Sequence, residues 1–152
     1  MSAVKQWILG FGAVVMVGCA GQPEALKVKQ FYLRDEKYDS GVDPMVRAEK
    51  QRLLYGAVSM EERRDRLGQY YTALWNDAGS GPVDVIFEFQ QGVTASKIKR
   101  RTKSFPADST SGKAVFSVIG DDYFKSGKVL SWKISLKRNG KTIATQQSFL
   151  WK

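Results

Sequence analysis

The chain has 152 residues, 43% hydrophobic and 12% aromatic, which suits one packed domain and excludes a disordered profile. Its 24 Lys and Arg against 15 Asp and Glu give a net charge of +9, so any charged partner is expected to be anionic. With no histidine it lacks the commonest general base and metal ligand, and with one cysteine it has no internal disulfide.

In chain order, residues 1–6 carry a single side-chain charge, Lys5, and 7–19 (WILGFGAVVMVGC) form an apolar run that ends on the cysteine. A basic start, an apolar stretch and small residues at a cut point make up the layout of a secretory signal. The tetrad Met16-Val17-Gly18-Cys19 resembles the lipobox of bacterial lipoproteins, with Met16 where that family most often has Leu. The resemblance covers residues 1–19 only. It implies that the Cys19 thiol receives a diacylglycerol, that the bond between Gly18 and Cys19 is cut, and that the new amino terminus is acylated. It also implies a lipid-anchored protein of the cell envelope. Ala20, where some bacteria place an inner-membrane-retaining Asp, favours the outer membrane, facing the periplasm or the exterior. The rival is an uncleaved anchor, but a spanning helix needs about 20 apolar residues. The run 7–18 has 12, and Gln22 and Pro23 follow closely.

The expected organisation is a signal at 1–18, a lipidated terminus and tether at 19–25, and one domain at 26–152. Residues 20–25 reach roughly 20 Å when extended, a short leash. Residues 26–33 (LKVKQFYL) read as a strand and 35–41 (DEKYDSG) as turn material. Asp43-Pro44 opens a helix that stops near Gly56. Ser59 with Glu62 is a capping box for a second short helix carrying Arg63, Arg64 and Arg66, with Gly68 as its expected C-cap.

After Gly68 the hydrophobic period changes to two. Residues 69–75 form a strand and 76–82 a loop. Val83, Val85, Phe87 and Phe89 then alternate with polar neighbours. A polar strand follows at 95–103, ended by Pro106, then a strand at 114–119 and a turn around Asp121-Asp122. The last hairpin is the plainest: Leu130, Trp132, Ile134 and Leu136 alternate with polar residues up to Asn139-Gly140, the residues of a type I′ turn. The return strand, 142–151, is expected to turn Ile143, Thr145, Gln147, Phe149 and Trp151 to one side. About seven strands without a βαβ rhythm indicate an antiparallel β-sandwich, immunoglobulin-like or transthyretin-like, with one or two short helices in the connection 43–67. A small OB-like barrel is the alternative.

No catalytic set emerges. Asp84 and Glu88 are strand-borne acids with solvent-face spacing, and the glycines match neither a phosphate loop nor a dinucleotide fingerprint. Asp35, Glu36, Asp39 and Asp43 cluster, but not at calcium-loop spacing. No enzyme activity, metal or cofactor is therefore expected beyond covalent lipid on Cys19. The strongest charge feature is Lys97, Lys99, Arg100, Arg101 and Lys103. It reads either as a lysine-protected edge strand or as a contact for an anionic surface: lipid head groups or an envelope protein, ahead of nucleic acid. Tyr70, Tyr71, Trp75, Trp132 and Trp151 form either core or a sugar-stacking platform, with Tyr70 the expected exposed member. The function these features imply is a structural or adaptor protein held close to the membrane; the alternative is a glycan- or lipopolysaccharide-binding module.

Overall fold

The computed structural model describes residues 24–35, 37, 41–94 and 97–152, so Gly18 and Cys19 lie outside the described residues. The strands are β1 (Leu26–Leu33), β2 (Gly68–Asn76), β3 (Val83–Gln91), β4 (Lys99–Phe105), β5 (Ser111–Ile119), β6 (Val129–Arg138) and β7 (Lys141–Gln147). The helices are α1 (Pro44–Leu54), α2 (Met60–Asp65) and α3 (Gly120–Ser126). All pairings are antiparallel, in two sheets ordered β1-β2-β5 and β4-β3-β6-β7. The chain changes sheet after β2, after β4 and after β5, a Greek-key sandwich of immunoglobulin-like kind with its fourth strand in the second sheet. The sheets do not close on one another, which sets the barrel alternative aside.

Alternation builds the core. Val83, Val85, Phe87 and Phe89 of β3 are all fully buried, facing Tyr71, Ala73 and Trp75 of β2 and Phe116 and Val118 of β5. Aromatic rings knit the layers: Tyr71 and Phe87 centroids lie 4.7 Å apart, and Phe87 and Phe116 5.2 Å apart. Trp132, Ile134 and Leu136 of β6 complete the interior, whereas Leu130 is exposed. A shift of register between Gln90 and Gln91 lies near that end of β6.

The first connection covers the other face of the three-stranded sheet. Asp43 caps α1 by accepting from the Met45 N–H, and Ser59 and Glu62 form the full capping box of α2. Leu53 of α1 then packs on Leu33 and Tyr70, a second small core. Tyr70, expected at the surface, is buried there and donates its hydroxyl to the Arg66 carbonyl at 2.6 Å.

Four further expectations are corrected. Gly68 does not cap α2, whose C-cap is Arg66; it opens β2 at φ +142°, and a Cβ there would lie 2.2 Å from the Val118 carbonyl oxygen. The polar strand starts later, at Lys99, and runs to Phe105. The expected turn at Asp121-Asp122 is the helix α3, whose first-turn acids and Lys125 in its last turn suit the helix dipole. The β6–β7 hairpin turns at Asn139 (φ 50°) and Gly140 (φ +77°) as expected, but its register shifts between Leu136 and Lys137. Leu136 thus pairs with Ala144 and Lys137 with Thr142, leaving Ile143 as the extra residue. The bulge turns Ala144 toward the core and Ile143 outward. Beyond Gln147 the chain leaves the sheet, and Phe149 is fully exposed.

Candidate functional site

The basic run lies on β4, an outer strand of its sheet. Lys99, Arg101 and Lys103 point across the open flank toward the other sheet. Asp122 of α3 accepts from Lys99 at 2.7 Å and from Arg101 at 2.6 Å. Arg101 also donates to the Ser117 carbonyl and lies over the Phe89 ring, and Lys103 lies over Phe116. Arg100 points the opposite way and meets Glu88, which Lys133 also approaches at 3.1 Å. Three of the five cations are therefore held by carboxylates of the same domain, and inward-pointing charges guard this edge. Lys97 is exposed and makes no ion pair among the described residues. Tyr71, Trp75 and Trp132 are core, and Trp151 lies under the Lys133 ammonium at 5.1 Å, so these rings form no aromatic platform beside β4 among the described residues.

The other basic patch is dispersed by α2. Arg66 turns back to donate to the Leu53 and Tyr55 carbonyls, which closes the C-terminal end of α1. Arg64 stacks on Phe124 of α3 at 4.9 Å. Arg63 donates its Nε to the Ala57 carbonyl and reaches a groove between β1 and α1.

That groove is a concavity of about 650 Å³. Its apolar part comes from Phe31 and Leu33 of β1, Val42, and Val46 and Leu54 of α1. Its cations among the described residues are Arg34, Lys37, Arg47, Lys50 and Arg63. Val46, Lys50 and Leu54 follow one another at helical spacing, so a single face of α1 supplies both kinds of lining. Arg34 lies over the Tyr32 ring at 4.9 Å, and Tyr32 in turn hydrogen-bonds the Tyr123 hydroxyl of α3. Burial and that hydrogen bond push the Tyr123 phenol up to about 12. Asp35 on the rim is paired with Lys50, whose hydrogen bond outweighs desolvation and holds the carboxyl below its ordinary value. Among the described residues no carboxylate pairs with Arg34 or Arg63. A second cavity of about 620 Å³ shares Arg34 and Asp35 and extends past Arg64 to Leu67 and Phe124.

None of the groove cations except Arg63 belongs to a basic run visible in the sequence. The available signal was the period of α1, which sets Lys50 one turn from both Val46 and Leu54. Of the acids clustered in the sequence, Asp35 is tied to Lys50 and Asp43 to the helix cap; Glu36 and Asp39 lie outside the described residues. No described helix is long and apolar enough to cross a membrane. Searches against protein-family models, curated proteins and solved structures return no match for this chain.

Proposed function

We propose that this is a cell-envelope lipoprotein, anchored by lipid on Cys19, whose sandwich serves as a non-enzymatic structural or adaptor domain close to the outer-membrane surface. The observation that carries the reading is the short distance from the lipobox-like tetrad to the fold. Leu26, seven positions after Cys19, is already a core residue at 2% exposure, and the Ala25 carbonyl is hydrogen-bonded to Asn76. A tether of 20–25 spans at most roughly 20 Å. The pole where β1 begins, with the 77–82 and 106–110 loops and the Asn139-Gly140 turn, then faces the bilayer. The helices lie at the other end of β1, about 25 Å away for an eight-residue strand. In this orientation the helical pole is the surface offered to partners. Two acyl chains suffice for stable anchoring where one does not.

The test is Cys19→Ser in the native host, followed by fractionation and gel mobility. The expected product is an unprocessed, unlipidated chain that loses lipoprotein sorting; normal maturation and outer-membrane retention would refute the reading.

A further inference from the structure

The helical pole combines an apolar channel with guanidinium groups that no described carboxylate neutralises. We infer that the groove between β1 and α1 binds an anionic amphiphile: one apolar chain seated on Phe31, Val46 and Leu54, ending in a carboxylate or phosphate held by Arg34 and Arg63. The inference does not depend on the lipid anchor.

Three observations select this ligand. The first is charge. Among the described residues, Arg34, Lys37, Arg47, Lys50 and Arg63 line the groove with one carboxylate, Asp35, which Lys50 engages, and the head group is assigned to Arg34 and Arg63 alone. Guanidinium forks suit the paired oxygens of carboxylate and phosphate. Each of the two that would hold the head group is already steered, Arg34 by the Tyr32 ring and Arg63 through its Nε on the Ala57 carbonyl.

The second is apolar surface left uncovered. Val46 remains 43% exposed on the groove wall beside Phe31 and Leu54, and the neighbouring cavity continues the apolar path to Leu67 and Phe124. The third is size. A cavity of about 650 Å³ falls within the roughly 300–1,000 Å³ of small-molecule sites. A stable protein partner wants about 800 Å² on each side, a broader surface than this notch between one strand end and one helix.

The test uses the full chain reconstituted in phosphatidylcholine nanodiscs and a photoreactive alkyl carboxylate, with the labelled residues mapped by mass spectrometry. Labelling is expected on the end of β1 and on α1, displaced by decanoate or decyl phosphate. Decanol and inorganic phosphate should compete at least about ten-fold less well, because each supplies only half of the interaction. Displacement by decanoate alone identifies a fatty acid as the source of the anion, and by decyl phosphate alone a phospholipid-type head; either supports the site. Arg34→Glu and Arg63→Glu should each weaken the anionic competitors by about ten-fold without altering decanol. Val46→Asp should abolish labelling, with unchanged circular dichroism to show that the fold persists. The inference is overturned by equal competition from decanol and decanoate, by labelling elsewhere, by charge-reversed variants that bind normally, or by displacement only with an acidic amphipathic peptide.

Discussion

Arg138 shows how this domain treats a buried charge. At 6% exposure its guanidinium donates to the Asp77 carboxylate at 2.5 Å and to the carbonyls of Gly81, Asp77 and Ser109. One side chain thus ties the β2–β3 and β4–β5 loops to the end of β6. Removing it strands a partly buried carboxylate and three carbonyls, so Arg138→Met should cost about 3 kcal/mol in urea unfolding. Arg100→Ala, at an exposed position beside Glu88, should cost well under about 1 kcal/mol. Glu88 supplies a pH signature. Burial pushes its carboxyl up, but hydrogen bonds from Arg100 and Lys133 outweigh burial and hold it below the usual value of 4.5. A depressed folded pKa stabilises above the unfolded value, and that contribution disappears as pH falls through the folded one. Denaturant midpoints measured from pH 6 down to pH 3 should therefore fall more steeply for the native protein than for Glu88→Gln. Parallel curves would show that the two cations do not hold Glu88 in solution.

At the scale of elements, backbone geometry separates what periodicity reveals from what it hides. The alternation in β3 and the Asn139-Gly140 turn are local properties, so both could be read directly from the residues. Gly140→Ala, at φ +77°, should lower stability by about 1 kcal/mol. Gly68 differs because its requirement is tertiary: the space for a Cβ is filled by the backbone of β5, a strand that begins more than forty residues later. Gly68→Ala should cost at least about 3 kcal/mol, and unfolding curves for the two alanine variants would separate a turn preference from a steric block. The helix α3 and the bulge at Ile143 escaped the pattern for a similar reason. Seven residues of α3 are too few to show a helical period, and one inserted residue inverts the faces of a short strand. Tyr70 was misplaced because alternation marks the outer face of a sheet as solvent, whereas here α1 covers it.

Across the whole molecule, the sandwich separates two ends: one where the chain enters β1, and one built from the insertion between β1 and β2. The basic run prominent in the sequence is mainly paired within the domain: Asp122 of α3 ties Lys99 and Arg101 across the open flank, and Glu88 meets Arg100 from the neighbouring strand of the same sheet. The groove was illegible for the converse reason. Its cations come from three separated segments, of which only the one with Arg63 stands out in charge, and only folding brings Arg34, Lys50 and Arg63 around one apolar channel. The proposed membrane anchoring rests on a contiguous tetrad rather than on tertiary contacts, and that tetrad lies outside the described residues. Its most direct test is intact-mass analysis of the protein purified from the native envelope. The account predicts a chain beginning at Cys19 and carrying diacylglyceryl and acyl groups; a chain beginning at Met1, or one with an unmodified Cys19 thiol, would contradict it.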